Sequence, residues 1–370
     1  MAIGDVYKSK PASFVDPNTG YTIIQPIDED QNRHMYFTSN PFTSNGDEII
    51  FSAIRNGHEN YYVLNFHTGE YIQLTDLKGI ATAHAYYDKA GDFLYYGDGR
   101  KVWRVGVHSL KTELICQSED KLGTIAITCD GKYMISFTQT SMSFTNNDKE
   151  VLQVPIWRIF RLDLATGEET TIMYRNARID HIQCHPTDPE WFMYCLWGYY
   201  CTHQRVWRAN IFGTDGGPVG NEKPNEHRTH EYYTNDGKHI ACHGKFFSYG
   251  DKPKFKNIRH TWIISEPDGK NERVYTCLPK GAQAGHSIQS HDGSMVAADG
   301  NDFVTLLDFD NDDMTCTFRP VATHSSTMSG NFVHPHPSFS LDDRYIVFAT
   351  DMGGKDRGNI YLVDLHSKNG

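Results

Sequence analysis

The sequence predicts an all-β fold, a seven-bladed β-propeller, on three observations. A unit made of a turn followed by a β-rich run recurs seven times along the 370 residues. The composition favours pleated, turn-rich structure: aromatics make up 13%, with 21 Tyr and 20 Phe, beside 31 Gly. No long segment carries the 3.6-residue apolar period of an amphipathic helix.

The seven units follow in order. Asn45-Gly46-Asp47 precedes residues 48–52, Ala90-Gly91-Asp92 precedes 93–96, and Asp130-Gly131-Lys132 precedes 133–137. The fourth is a variant, His185-Pro186-Thr187-Asp188-Pro189 before 191–196. Asp236-Gly237-Lys238, Asp292-Gly293-Ser294 and Asp342-Asp343-Arg344 open the last three, before 239–243, 295–298 and 345–349. A second β-rich run with its own tight turn follows most copies, as in 61–66 with Thr68-Gly69 and 159–164 with Thr166-Gly167. Such alternation is the signature of short antiparallel strands joined by hairpins.

Both ends of the chain bear on closure. Asp16 to Gly20 and the run 21–27 look like the end of a unit, and 360–365 stops where that end is due. An N-terminal strand, about 16–27, is therefore expected to complete the last blade and to remove an open edge. Residues 1–370 are expected to form a single domain, with no linker rich in Pro, Gly or Ser. The segment 138–154 reads as a longer loop over one rim.

Composition narrows the function. Hydrophobic residues at 39% and charged residues at 22% are enough for a large core. A formal net charge of −11 argues against a broad nucleic-acid-binding face, while leaving room for a small basic pocket. No run approaches the ~20 apolar residues of a membrane span, and Met1 to Pro11 has no apolar core of a secretory signal. Eight scattered Cys without a C-x-x-C pair point to reduced thiols and a cytoplasmic setting.

The 19 His carry the densest chemical signal. In Asn331-Phe332-Val333-His334-Pro335-His336-Pro337-Ser338-Phe339, strand periodicity puts two imidazoles on one face between stiffening prolines. His336 lies seven residues before Asp343; His286 and His230 lie seven before Gly293 and Gly237. Equivalent positions of adjacent blades project into one region, so these histidines are expected to meet. Side-by-side imidazoles make part of a metal site, or else a packed, hydrogen-bonded cluster.

In this order and spacing the motifs resemble the oligogalacturonate lyases, over nearly the whole chain. They include Thr229-His230-Glu231-Tyr232, His286 with Asp292-Gly293-Ser294 and Asp299-Gly300, and the His334–Phe339 segment. The resemblance implies a propeller with a manganese-type site, an acidic oligosaccharide substrate and β-elimination chemistry. It implies His286, His334 and His336 as metal ligands, His230 as the base, and Arg205 as a substrate-facing and catalytic group. Where the family has a Gln ligand this chain has Asn331, one methylene shorter. It also has Leu196-Trp197-Gly198 in place of a His-Glu-Gly segment, and Asn40 in place of a basic residue; all these departures are expected in the sugar pocket. A neutral His230 suits proton abstraction, and Arg205 suits a carboxylate held by two parallel hydrogen bonds.

Other residues are read more plainly. His181 and His185 are assigned a turn role, His227 an exposed loop position, and His203 an open one. His243, His260 and His324 show no constraint. Trp197, Tyr199 and Tyr200 suit either sugar stacking or blade packing, and Glu231 either orients a neighbour or faces solvent. Two other functions fit the same repeats: an interaction module without catalysis, and a related lyase for a different acidic sugar.

Overall fold

The computed structural model describes residues 2–29, 31–79, 85–145, 149–197, 204–248, 256–329, 333–352, 354 and 358–368. Among them the chain is all-β. Strands consecutive in sequence pair antiparallel in groups of four. Tyr86–Asp88, Phe93–Asp98, Lys101–Gly106 and Thr112–Gln117 form one such sheet. The meander repeats from Ala126–Ile127 to Glu169–Arg175 and from Arg178–Cys184 to Gly216–Pro218. It repeats again from Glu226–Tyr233 to Arg273–Cys277 and from Ser287–Gln289 to Thr315–Thr323. These last two groups join into one eight-stranded sheet through a parallel pairing, Thr276 with Thr315 and Cys277 with Cys316.

The chain ends complete the remaining sheets. Thr22–Gln25 pairs antiparallel with Asn359–Asp364, beside Tyr345–Thr350 and Ser338–Phe339, so the last group takes its fourth strand from the N-terminal region. Ala12–Val15 adds a fifth. The opening group, Asn32–His34 to Glu70–Gln73, gains Val6–Lys8 at its edge, a strand that the sequence pattern did not announce.

Packing explains why the middle strands read as apolar runs rather than as alternating ones. Tyr345–Thr350 and Asn359–Asp364 are buried along their whole length, because both sheet faces are covered by neighbours. The apolar clusters each join neighbouring groups. Ile50 and Val63 pack with Leu94 and Val105, and Val102 packs with Met134 and Phe160. Ile159 packs with Phe192, Val206 with Ile240, Trp262 with Leu307, and Ala297 with Ile346. One further cluster sets Phe51 and Leu64 of the first group against Val347 and Leu362 of the last.

The recurrent turn has a local cause. In Thr234-Asn235-Asp236-Gly237-Lys238, Asp236 Oδ1 accepts from Thr234 Oγ1 and from Lys238 N, while Gly237 sits at φ 72°, where a side chain would be strained. The segment 138–154 departs from the expected rim loop. Tyr133–Thr145 and Val151–Asp163 pair in unbroken register from Tyr133–Asp163 to Thr145–Val151. Beyond Thr138 the ladder runs on as a two-stranded ribbon that needs no covered face, so polar, β-compatible residues such as Gln139, Thr140 and Ser141 continue it instead of leaving it.

Candidate metal centre and cleft

In two groups the first strand is bent out of register ahead of the turn that follows it. The ladder shifts between Thr229 and Tyr232 and between Asp180 and Gln183, at bulges that re-aim one side chain. His230 and His181 occupy these bulges at φ 55° and 48°, and His336 lies at φ 43°. A residue with a Cβ in this region costs about 1–2 kcal/mol. Three histidines held in the same unfavourable conformation line one cleft of about 430 Å³. Backbone strain of this kind recurs at functional sites.

His286 is placed by different means. Asp299, buried, accepts its backbone N–H at 2.5 Å and its Nδ1–H at 2.7 Å, which directs Nε2 into the cleft. A Cβ on Gly285 would collide with this carboxylate, so the glycine is required by close approach. The Gly285 carbonyl then accepts from His230 Nδ1 at 2.9 Å, which leaves His230 Nε2 with the free lone pair. The two rings stack with centroids 3.8 Å apart.

His334 and His336 complete the cluster. Their ring centroids lie 5.4 Å apart, and those of His286 and His336 lie 4.1 Å apart. One ligand nitrogen from each of His286, His334 and His336 falls within 4.8 Å of the others. The segment is anchored from outside: His34 Nε2 donates to Pro335 O at 3.0 Å, and Ala349 N donates to the same oxygen. Burial holds His230 and His336 well below the ordinary imidazole pKa, and His334 below it, with His286 adding to each effect. These rings are therefore neutral near pH 7, as metal ligation requires.

The donor set fits a divalent transition ion. His336 Nε2 is buried and has no hydrogen-bond partner, at a cost of about 1–3 kcal/mol if nothing met it. The Asp299–His286 pair is the carboxylate–histidine support typical of metal sites.

The opposite wall carries a buried polar chain. Glu231, without solvent exposure, accepts from Arg205 Nε at 3.1 Å and from His181 Nδ1 at 2.8 Å; His181 Nε2 meets the Tyr36 hydroxyl at 3.1 Å. Arg205 and His181 hold the Glu231 carboxyl well below the usual range against the opposing effect of burial. Cys195 stands close to His181 and Glu231, but the adjacent Arg205 charge opposes a second cation there. Tyr36 lines the cleft and Phe37 packs behind the cluster, with rings edge-on or tilted against His336 and His286. Trp197, half exposed, and Arg33 also line the cleft.

The structure thus brings His230, His286, His334, His336 and Arg205 to one cleft. Asn331 lies outside the described residues, as do Gly198, Tyr199, Tyr200 and His203. Three expectations are corrected here, and the open reading of Glu231 is decided. His181 is no turn residue but a cleft residue, and it too lies seven positions before its turn residue, Asp188. Only His185 has the turn role, its Nδ1 accepting from Asp188 N. Asn40 is not in the sugar cleft: its amide donates to Phe339 O and contacts His291 in a second cavity, beyond Phe37. His227 lies within Glu226–Tyr233, pushed down to about 4 by burial, Arg205 and Lys245, and is not in an exposed loop. Glu231 is buried rather than facing solvent.

His243, His260 and His324 each have a protein partner. His243 Nε2 bonds His260 Nδ1 at 2.9 Å, and buried His324 Nδ1 accepts from Ser326 N. Arg33, Tyr36 and His34 were missed by sequence reasoning; no register count links the start of the first group to the last group's histidines.

Fold and site together define a class: an all-β chain of repeated four-stranded sheets, with an imidazole cluster suited to a divalent metal gathered in or just before the first strands of its later groups. The family model described as oligogalacturonate lyase matches residues 1–368. The chain belongs to the oligogalacturonate lyase family and is a carbon–oxygen lyase. It is 27% identical to the oligogalacturonate lyase of Dickeya dadantii (strain 3937), and 26% identical to the oligogalacturonide lyase of Pectobacterium atrosepticum. Each alignment covers 99% of this chain and 98% of the relative. A solved oligogalacturonate lyase in complex with manganese superposes with a TM-score of 0.81 at 25% identity, over 99% of this chain and 98% of that one. The oligogalacturonate lyase of Vibrio parahaemolyticus shares the fold, with a TM-score of 0.81 at 21% identity over 98% and 99% of the two chains.

Proposed function

We propose that the chain is one cytoplasmic domain, a closed seven-bladed propeller, that cleaves 4-linked oligogalacturonides by β-elimination with a divalent metal, manganese first. The closure is supported by the pairing of Thr22–Gln25 with Asn359–Asp364 and by the cluster joining first and last groups. The observation that carries the chemistry is His230, with Nδ1–H committed to Gly285 O and Nε2 free, stacked beside a three-imidazole cluster.

In this reading His286, His334 and His336 hold the metal, with Asn331 as a further ligand. When bound, the ion supplies positive charge to the uronate carboxylate and stabilises the negative charge that develops as C5 loses its proton. His230 Nε2 takes the C5 proton. The C5–H electrons form the C4–C5 double bond, the C4–O bond breaks with its electron pair going to the oxygen of the leaving sugar, and that oxygen takes a proton from water. Glu231 fixes Arg205 through Nε, so that its terminal nitrogens meet a substrate carboxylate. The half-exposed Trp197 ring offers an apolar face to a sugar ring.

The test is formation of ultraviolet-absorbing 4,5-unsaturated product from oligogalacturonides, lost on chelation and regained with manganese. His230→Ala is expected to abolish turnover with metal still bound, and His334→Ala to lower metal content. Metal-replete protein that forms no unsaturated product from any uronate oligomer refutes the reading.

A further inference from the structure

Two guanidiniums line the cleft among the described residues, and each is braced by a glutamate with no solvent exposure. Arg205 is held by Glu231. Arg33 is held in the same manner: Nη2 donates to Glu59 Oε1 at 2.8 Å and Nε to Ser52 Oγ at 3.3 Å. Ser52 Oγ in turn donates to Glu59 Oε1 at 2.9 Å. The exposed member of this pair is the cation, at 22% against 0% for Glu59. A buried ion pair returns little net stability, so a brace of this kind at a cleft wall is best explained by the orientation it imposes on its exposed end.

The two arginines approach from different groups. Arg33 lies in Asn32–His34 of the first; Arg205 directly precedes Val206–Asn210 of the fourth. The imidazole cluster comes from the later groups. The residue after Arg33, His34, donates to Pro335 O between His334 and His336, which fixes Arg33's strand against the cluster. An oligouronide presents one carboxylate per ring. The cluster and Arg205 account for the carboxylate of the reacting ring, and a cleft of about 430 Å³ is of ordinary ligand-pocket size.

Resting on the lyase reading above, we propose that Arg33 is a specificity residue that binds the carboxylate of the uronate next to the reacting one. In a digalacturonate that neighbour is the leaving sugar. Arg33 thereby favours substrates with two consecutive acidic rings.

The experiment measures initial rates of manganese-loaded protein on digalacturonate and on a disaccharide whose leaving sugar is galactose, linked 4 to a reducing galacturonate. Arg33→Ala is expected to lower kcat/KM on digalacturonate by roughly 10- to 100-fold, chiefly through KM, as for a lost charge-assisted hydrogen-bond pair. On the galactose substrate the wild type already lacks that contact, so the substitution lowers kcat/KM less than about threefold. Since Arg33→Ala leaves Glu59 buried without its cation, the double substitution Arg33→Met with Glu59→Gln is measured in parallel and is expected to show the same substrate dependence. An equal loss on both substrates overturns the assignment and leaves Arg33 a structural role. Wild type that acts on neither these nor any other uronate oligomer overturns the lyase reading instead.

Discussion

Replacing Glu231 with Gln changes one atom at the point on which the Arg205 wall depends. Glu231 has no exposure and accepts two N–H groups, from Arg205 at 3.1 Å and His181 at 2.8 Å. The amide keeps one acceptor and turns a donor towards another donor. Removing one member of a buried ion pair costs about 3–5 kcal/mol. Gln preserves volume and half of the hydrogen bonding, which places the loss near 3 kcal/mol. In a chain of this size that lowers Tm by about 4 °C. Arg205 also loses the charge-assisted hydrogen bond that aims it. Hydrogen bonds to charged groups are worth about 1.5–3 kcal/mol, so kcat/KM falls about 10- to 150-fold. The assays are product absorbance at 25 °C, a calorimetric melt and metal content, which stays at the wild-type level. A Tm within a degree of wild type together with an unchanged kcat/KM refutes the reasoning. A lowered Tm with unchanged kcat/KM reduces Glu231 to a structural residue.

Further outcomes follow from the same geometry. Asp299→Asn weakens the support of His286 and lowers manganese affinity about 10- to 100-fold in a calorimetric titration. Trp197→Ala, at a half-exposed ring, raises KM about fivefold and leaves Tm nearly unmoved. Metal-free protein loses stability in mild acid. His34 is buried and its pKa is pushed down to about 4, so its contribution is fully present above pH 6.5 and is lost as pH falls through 4, about 3 kcal/mol in all. His230, His334 and His336 are displaced in the same direction, so urea midpoints at pH 8, 6 and 4 are expected to fall in that order.

Much of the site was legible before any coordinates. The seven-residue count from histidine to turn united His230, His286 and His336, because equivalent strands of a repeated sheet place equivalent residues at one height. The same count also reaches His181, yet the Pro186 variant of that turn disguised it. Arg33 and Tyr36 had no such sign. They sit near the chain start, some 300 residues from His336, and only the packing of the first group against the last brings them to the same cleft.

Residue chemistry and register by themselves determined the strand repeats, the Asp-turns and the identity of the imidazole cluster. These are local properties, set by backbone preferences within a few residues. Tertiary structure alone decided which groups the histidines face. It buried Glu231 against Arg205 and His181, left His336 Nε2 without a protein partner, and moved Asn40 to the cavity beyond Phe37. The reason is physical: burial and partnership depend on how sheets distant in sequence pack, and a one-residue bulge at His230 or His181 redirects a side chain that strand alternation would send elsewhere.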